Sequence, residues 1–312
     1  MSTRPIIIDT DPGQDDAVAI MLAIASPELD ILAVTAVAGN VPLPLTELNA
    51  RTIVEVCDRP DIPVFAGAAK PMLRDLVTAE HVHGKTGLDG ADCPAPTIRL
   101  APGHAAQAIV DTVHKAEEKI TLCALGPLTN VAIALLLDPS ISENLEQIVL
   151  MGGGFFEGGN VTPAAEFNIY VDPHAAHIVF ASGIDIVMMP LDMTHKAIAT
   201  DPVIQRFANL GTHCGDAAAG MIGFYSRHDS EKYSVAGAPL HDPTVIAYLI
   251  DPELFSGRAC SVEIDTHSGP SLGATQVDWW DVTDEPPNAM VMRDVDSEGF
   301  FDLLVERIAG LP

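Results

Sequence analysis

The chain has 312 residues, and 43 Asp and Glu against 16 Lys and Arg give it a formal net charge of −27. Hydrophobic residues make up 48% and charged residues 19%, so there is enough apolar material for a large core, and global disorder is excluded. Because so negative a field repels polyanions, nucleic acid and anionic membrane surfaces are disfavoured as partners, and small ligands and cations are favoured.

Short β-branched runs alternate with helical stretches through the first two thirds of the chain. This alternation is typical of βαβ units and predicts an α/β fold, a doubly wound, mostly parallel sheet with flanking helices. The predicted strands are Pro5–Asp9, Ile31–Val37, Val64–Ala66, Ile120–Ala124, Gln147–Met151 and Ile186–Met189. The predicted helices are Asp15–Ser26, Leu45–Cys57, His104–Ala116, Leu128–Leu137 and Pro173–Ser182.

Beyond Thr200 the pattern becomes helical and then β-rich, which predicts a small C-terminal β-rich addition. Its predicted elements are strands near Arg258–Ile264, Ala274–Trp279 and Asn288–Met292 and an amphipathic helix over Ser297–Ala309. No linker, repeat or low-complexity tract interrupts the sequence, so residues 1–312 are expected to form a single domain. The irregular stretch Lys70–Pro102 is long enough to be a lid or binding loop, and a surface excursion is the alternative.

Four carboxylates fall within eight residues around the first predicted strand. Asp9 and Asp11 come at its carboxyl end, and Asp15 and Asp16 come in the first turn of the next helix, after a Pro12–Gly13 turn. In a parallel sheet this is the crevice where ligands bind. Carboxylates held together repel, and an oxygen-preferring cation such as Ca²⁺ or Mg²⁺ would neutralise them. Helix capping and the helix dipole are the alternative explanation for Asp15 or Asp16.

Two later segments carry polar side chains that suit the same crevice. Asp242 fits a helix N-cap before Pro243, or it supplies one more oxygen ligand, while the neighbouring His241 is able to deliver a proton near neutral pH. A triple-glycine run at Gly152–Gly154 precedes hydrogen-bonding side chains of the kind that hold sugar hydroxyls. These are Asn160, Glu166 and Asn168. Ordinary turn chemistry is the alternative for this loop.

Seven motifs occur in order along almost the whole chain: Asp9–Ala17, Val37–Asn40, His83–Leu88, Leu125–Asn130, Met151–Gly154, Ala165–Asn168 and His241–Pro243. Together they make the sequence resemble the nucleoside hydrolase family, the inosine/uridine-preferring nucleoside N-ribohydrolases. The resemblance implies a glycosidase that hydrolyses the N-glycosidic bond of ribonucleosides to ribose and free base. It also implies a homodimer or homotetramer.

The resemblance further implies a role for each matching residue. Bound Ca²⁺ would be held by Asp11, Asp16, Asp242 and the backbone carbonyl of Leu125. Asp15 would be the general base that activates a Ca²⁺-bound water, and His241 would sit beside the leaving base as its proton donor. The ribose hydroxyls would be held by Asn40, Asn160, Glu166 and Asn168, and His83 would line the loop by the ribose end.

Recognition of the base is the part that the motifs leave open. In pyrimidine-preferring relatives, the helix before the His-Asp pair carries polar residues that touch the base. This chain offers Tyr225, Arg227, His228, Asp229 and Tyr233 there, of which Tyr225, Asp229 and Tyr233 are the candidate base contacts. The run His83–Gly90 favours pyrimidine-type members weakly.

Two functions from other classes compete with this interpretation. The arrangement of Asp9 and Asp11 after an apolar strand is similar to that of metal-dependent phosphotransferases, which would make Asp9 a nucleophile. A catalytically silent, Ca²⁺-dependent nucleoside or ribose sensor would bind without releasing base, although intact Asp15 and His241 argue against it.

Two negative features concern the location of the protein. Five scattered cysteines without a C-x-x-C pair fit reduced thiols and predict a cytoplasmic protein. The longest apolar run, Ala17–Ala25, is about half of the ~18 residues that a membrane-spanning helix needs, so no membrane segment is expected.

Overall fold

The computed structural model describes residues 3–233 and 237–312, and within residues 228–233 it describes the backbone alone. In this part of the chain an eight-stranded sheet forms the centre of the molecule. The strands, in chain order β1 to β12, are Arg4–Thr10, Leu29–Ala36, Val64–Ala66, Ile120–Ala124, Leu145–Met151, Ile186–Met189, Ile198–Ala199, Ala238–Pro239, Phe255–Cys260, Val262–Ile264, Thr275–Val277 and Ala289–Val295. The sheet order β3-β2-β1-β4-β5-β6-β12-β9 is parallel except for β9 at one edge.

Helices cover both faces of this sheet. In chain order α1 to α12 they are Gln14–Ile24, Leu43–Val56, Glu80–His83, Ala105–Lys115, Thr129–Leu137, Phe167–Val171, Pro173–Phe180, Leu191–Thr194, Asp201–Ala208, His213–Tyr233, Pro243–Ile250 and Ser297–Ile308. The predicted doubly wound α/β fold is therefore confirmed. The stretch predicted to be irregular also contains one short helix, α3.

Two hydrophobic cores lie on opposite faces of the sheet. Ile6 and Ile8 of β1 pack with α1, α2, α10, α11 and α12, whereas Ile7 packs with α4, α5 and α7. Alternate side chains of a strand point to opposite faces, so a strand covered on both sides is apolar at every position. The uninterrupted Ile6–Ile8 run is the sequence signature of that double burial.

The C-terminal β-rich segment is divided between the main sheet and a small one. Strands β10 and β11 form a separate antiparallel pair, as the prediction of a small addition requires. Strand β12, however, pairs in parallel with β6, and β9 pairs antiparallel with β12 at the sheet edge. Local periodicity predicts a strand but not its partner, which is why this extension of the main sheet was not foreseen.

The strand order reverses at β1, which fixes the position of the functional site. The chain runs from β1 outward through β2 and β3, then returns to β4 on the other side of β1. Ligands of open α/β sheets bind at the carboxyl ends of the strands where this reversal occurs. At that edge the N–H of Leu125 donates to the carbonyl of Asp9 (2.7 Å), which joins the two strand ends. None of the helices in the described residues is both long and apolar enough to cross a membrane.

Candidate active site

A cavity opens at the carboxyl ends of β1, β4 and β5, and its two ends differ in chemistry. The name "acidic end" is used here for the carboxylates of Asp11, Asp15, Asp16 and Asp242. Asp15 and Asp242 line the cavity, and Asp11 and Asp16 adjoin them. The name "histidine end" is used for the rings of His83, His195, His241 and Tyr225, all of which line the cavity. No lysine or arginine lies among the described residues that line it.

Asp16 is the most heavily bonded carboxylate of the acidic end. Its Oδ1 accepts from Thr10 Oγ1 (2.5 Å) and its Oδ2 accepts from the N–H of Gly13 (3.0 Å) and from Asn40 Nδ2 (3.1 Å). The bond from the N–H of Gly13, the residue just before helix α1, is a capping contact. Helix capping was the alternative explanation for the acids of this segment. Capping and membership of the carboxylate cluster therefore coexist in one side chain.

Asp11 is held by backbone that approaches it closely. Its Oδ2 accepts from the N–H of Asn40 (2.7 Å). A Cβ built on Gly39 or on Gly126 would overlap the Asp11 carboxylate, so both positions require glycine for reasons of space. These glycines belong to the Val37–Asn40 and Leu125–Asn130 motifs, and this contact explains why glycine stands in each.

The remaining two carboxylates face each other. Each of Asp15, Asp16 and Asp242 offers one oxygen such that all three oxygens lie within 4.8 Å of one another. Asp242 occupies the N-cap position of α11, as predicted, but its side chain makes no capping hydrogen bond. It is directed to the cluster instead, so the interpretation as an additional oxygen ligand describes it better than the interpretation as a cap.

The electrostatics of the acidic end call for a cation. Burial, followed by the charge of Asp16, raises the pKa of Asp15 to about 7. Burial likewise raises the pKa of Asp11 and of Asp242 well above the ordinary range. Asp11 Oδ1 and Asp15 Oδ1 are buried and have no hydrogen-bond partner among the described residues. Oxygen donors that are crowded, buried and unpaired fit a hard divalent ion, which would take the place of the retained protons.

The predicted ribose-binding side chains surround the acidic end. Asn40, Asn160, Glu166 and Asn168 all line the cavity. Glu166 caps helix α6 and accepts from the N–H groups of Gly153 (2.9 Å), Asn168 (2.9 Å) and Ile169 (3.2 Å), and burial raises its pKa to about 7. A carboxylate has about four acceptor positions, so these three bonds leave about one for a sugar hydroxyl.

Two of the amides are already oriented by the backbone. Asn168 Nδ2 donates to the carbonyls of Leu125 (2.7 Å) and Met151 (3.1 Å). Asn160 Oδ1 accepts from the N–H of Phe167 (2.9 Å). This bond orients the amide, and its NH₂ group is the part that could donate to a ligand. The structure thus brings the Leu125 carbonyl, the Gly-rich loop and the Asn-Glu pattern to one place.

The histidine end consists of rings in mutual contact. His241 Nδ1 lies 2.7 Å from Thr194 Oγ1, and burial, followed by the charges of His195 and His83, lowers the pKa of His241 to about 3. His83 Nδ1 lies 2.8 Å from Gln14 Oε1, and the His83 ring stacks on Tyr225 with centroids 5.5 Å apart. His241 is therefore a neutral ring near pH 7.

Two predicted base contacts lie outside what the structure describes. The side chains of Asp229 and Tyr233 belong to residues 228–233, of which the backbone alone is described. Tyr225, the third predicted contact on helix α10, lines the cavity.

Asp9 does not share the environment of the other acids. Its Oδ1 accepts from Thr35 Oγ1 (2.6 Å) and Asn130 Nδ2 (2.8 Å), and the carboxyl is fully buried away from the residues that line the cavity. Burial raises its pKa to about 7. A nucleophile needs access to its substrate, so this position does not support the phosphotransferase interpretation.

Comparison with known proteins bears on the family. The family model described as inosine-uridine preferring nucleoside hydrolase matches residues 6–302. The chain is 48% identical over 308 residues to the pyrimidine-specific ribonucleoside hydrolase RihA of Photobacterium profundum, a match that covers 98% of this chain and 99% of that protein. The chain belongs to the nucleoside hydrolase family. It is thus a glycosidase that hydrolyses ribonucleosides, and its acidic end meets the metal dependence of the family.

Solved nucleoside hydrolase structures agree with this fold. A plant nucleoside hydrolase superposes with a TM-score of 0.92 at 34% identity, covering 98% of this chain and 99% of the other. A purine-preferring ribonucleoside hydrolase from Gardnerella vaginalis gives a TM-score of 0.92 at 31% identity, with 98% of each chain covered.

Sequence reasoning missed several residues of the nucleoside hydrolase cavity. His81, Val82, Phe167 and His195 line it, yet none of them was a candidate. His81 and Val82 precede the predicted His83 and share the short helix α3 with it, which could have suggested them. His195 carries no such signal, because it is brought to the cavity by helix α8 and by the pairing of β7 with β8.

Proposed function

We propose that this ribonucleoside hydrolase prefers pyrimidine nucleosides, works with bound Ca²⁺ and uses Asp15 as its general base. The observation that carries the proposal is the acidic end, where buried carboxylates converge and Asp11 Oδ1 and Asp15 Oδ1 lack hydrogen-bond partners among the described residues. The pyrimidine preference is supported by 48% identity to a pyrimidine-specific hydrolase against 31% to a purine-preferring one.

Asp11, Asp16 and Asp242, together with the carbonyl of Leu125, would hold the ion. When bound, Ca²⁺ supplies positive charge beside the ribose hydroxyls and the attacking water. The metal set is argued from donor chemistry: carboxylate and carbonyl oxygens are the ligands that Ca²⁺ prefers. Asp15 is kept out of this set because the family resemblance gives it the role of general base, and the residue lines the cavity.

Asp15 accepts a proton from the attacking water. The water oxygen forms a bond to C1′ of the ribose while the C1′–N bond breaks, and the electron pair of that bond goes to the departing base. Positive charge develops on the ribosyl ring, and the carboxylates of the acidic end stabilise it. A nearby cation favours the ionised form of Asp15, which is the form that acts as a base.

The two ends of the substrate are held separately. Asn40, Asn160, Glu166 and Asn168 bind the ribose hydroxyls, and His83 lines the loop beside the ribose. Tyr225 and His241 contact the base, with Asp229 and Tyr233 as further candidates on helix α10. Because His241 is neutral near pH 7, it acts on the base through a hydrogen bond from a neutral ring.

A nucleoside assay with a chelator tests this proposal. The chain is incubated with uridine, cytidine, inosine and adenosine, with and without chelator, and free base and reducing sugar are measured. We expect base and ribose in equal amounts, a higher kcat/KM for uridine and cytidine, and loss of turnover in chelator that Ca²⁺ restores. Equal turnover in chelator would contradict the metal, and a higher kcat/KM for inosine would contradict the base preference.

Two further expectations concern the state of the enzyme in the cell. The five cysteines are all free, which supports a reducing, cytoplasmic location. A homodimer or homotetramer follows from the family resemblance, and sedimentation velocity of the purified chain tests it.

A further inference from the structure

Gln14 lies between Gly13 and Asp15 in the acidic segment and has no role in the proposed reaction. Its side chain is buried and bonds to a segment that is distant in sequence. Nε2 donates to the carbonyl of His83 (2.9 Å) and to that of Asp89 (3.1 Å), and Oε1 lies 2.8 Å from His83 Nδ1. One amide at the start of helix α1 therefore holds both the backbone and the ring of His83.

These bonds fix which way the Gln14 amide faces and which nitrogen of His83 carries a hydrogen. A peptide carbonyl only accepts hydrogen bonds, so the group of Gln14 that meets two carbonyls must be its NH₂, and both of its hydrogens are used there. Oε1 is then the atom that faces His83 Nδ1, and an amide oxygen can only accept. Nδ1 therefore carries a hydrogen whether the ring is neutral or charged.

The turn before helix α1 is shaped to receive the His83 ring. A Cβ built on Gly13 would overlap His83 Nδ1, so the ring lies directly against the backbone of this turn. Asn49 holds the same loop to the same turn, because its Nδ2 donates to the carbonyls of Pro12 (2.9 Å) and Thr86 (2.7 Å). The loop that carries His83 is thus fixed to the segment that carries the acids.

Gln14 connects the two ends of the cavity through this contact. The His83 ring lines the cavity and stacks on Tyr225, with centroids 5.5 Å apart. Asp15, the next residue after Gln14, lines the cavity at the acidic end. The amide therefore sets where a ring of the histidine end stands relative to a carboxylate of the acidic end. A displacement near 1 Å between groups that position a substrate commonly lowers the rate by about 10²-fold.

We propose that Gln14 is a positioning residue of this enzyme, which holds the His83 ring beside the ribose by accepting a hydrogen bond from Nδ1. Gln14 itself does not line the cavity, so it acts through His83. The bonds that form and break at C1′ are those of the proposed reaction. The inference deepens the proposed function and rests on it, since it assumes that His83 lies beside the bound ribose.

A double-mutant cycle separates action through the His83 ring from a general loss of structure. Gln14→Met keeps a long unbranched side chain and removes the amide, and we expect it to lower kcat/KM for uridine by about 10²-fold. In the His83→Ala background the same substitution is expected to cost about twofold or less, because the ring that it positions is already absent. A structural role would give the same loss in both backgrounds, and that result would overturn the proposal, as would full activity of Gln14→Met alone.

Nitrogen NMR of histidine-labelled protein gives a readout that does not depend on activity. The signals of His83 are assigned by their absence in His83→Ala. We expect Nδ1 of His83 to be protonated at every pH at which the protein stays folded, and Gln14→Met to change the His83 signals. An unprotonated Nδ1 in the unmodified chain would overturn the proposal.

Gln107→Met is the matched control, because Gln107 Nε2 also donates a hydrogen bond, to Asp111 Oδ1 (2.8 Å), on the exposed side of helix α4. It is expected to leave turnover unchanged, and thermal unfolding of each variant checks that the fold is retained. Unchanged turnover in His83→Ala would contradict the ribose role of His83 and the proposal for Gln14 together. Impaired His83→Ala with equal effects of Gln14→Met in the two backgrounds would overturn the proposal for Gln14 alone.

Discussion

The acidic end and the histidine end of the cavity are built from different kinds of elements. The acids stand at strand ends and helix starts around β1, and Asp11 is enclosed by the backbone of Gly39 and Gly126. The rings of the histidine end come from helices α3 and α10, from the end of α8 and from the segment before α11, and they contact one another through ring faces and edges. Under the proposed function, strand ends and helix starts carry the chemistry common to all nucleosides, and helices and loops carry the part that distinguishes bases.

This difference predicts two patterns of kinetic damage. A substitution at the acidic end acts on ribose and water, which all nucleosides share, so it should lower kcat for every nucleoside by a similar factor. A substitution at the histidine end acts on the base, so it should change the ratio of kcat/KM between uridine and inosine.

The largest expected effect is that of Asp15→Asn. Loss of a general base lowers kcat by roughly 10²–10⁴-fold, and we expect this factor for uridine and inosine alike. Asp9→Asn is the matched control, because Asp9 is equally buried and its pKa is also raised to about 7. Its Oδ1 partners, Thr35 and Asn130, can still donate to the amide oxygen. Near-normal turnover in Asp15→Asn, or loss in Asp9→Asn with normal folding, would contradict the assignment.

A second prediction tests the glycine contacts of the acidic end. Gly126→Ala forces the Asp11 carboxylate to move, since the added Cβ would overlap it. We expect kcat/KM to fall by about 10²-fold for all nucleosides, as a displacement near 1 Å commonly does, and the Ca²⁺ concentration needed for activity to rise.

Gly223→Ala controls for the added methyl group. A Cβ there would have its nearest neighbour, Ile204 Cγ2, at 4.0 Å, so it is accommodated within helix α10. Gly126→Ala with unchanged Ca²⁺ dependence would show that Asp11 does not hold the ion.

The acidic end could be predicted from the sequence more completely than the histidine end, because the two ends are built from different kinds of elements. Asp11, Asp15 and Asp16 lie in one short segment after an apolar strand, and the rules for parallel sheets place them in the crevice without further information. The position of Asp242 beside them depends on packing between α1 and α11, so the sequence left its role open between N-cap and oxygen ligand, and the family resemblance favoured the ligand. His195 was missed because neither its sequence context nor the two-residue strands β7 and β8 give a recognisable signal.

Competition between protons and the proposed Ca²⁺ for the acidic end gives a third prediction. In metal-free protein the raised pKa of Asp15 stabilises the fold fully below the ordinary value of 3.8, and this contribution is lost as the pH rises to about 7. The proposed Ca²⁺, when bound, would replace the lost protons and restore stability at the upper end of that window. We therefore expect chelator to lower Tm more at about pH 7.5 than at about pH 5.

Thermal unfolding in buffers with chelator or Ca²⁺ measures this difference. Asp242→Asn removes one carboxylate of the cluster and should make Tm less dependent on Ca²⁺ at both pH values. The same chelator effect at the two pH values would mean that the metal does not displace protons from these groups.

The smallest expected effect lies at the histidine end. Tyr225 stacks on His83 with centroids 5.5 Å apart and lines the cavity where the base is proposed to bind. A base packed against the Tyr225 ring gains about 0.5–1.5 kcal/mol from that contact, so Tyr225→Ala should lower kcat/KM by roughly tenfold, whereas Tyr225→Phe keeps the ring and should cost less. The informative quantity is the ratio of kcat/KM for uridine to that for inosine. If Tyr225→Ala changes this ratio and Asp15→Asn does not, the two ends act on separate parts of the substrate. If both substitutions leave the ratio unchanged, base recognition lies elsewhere on the chain.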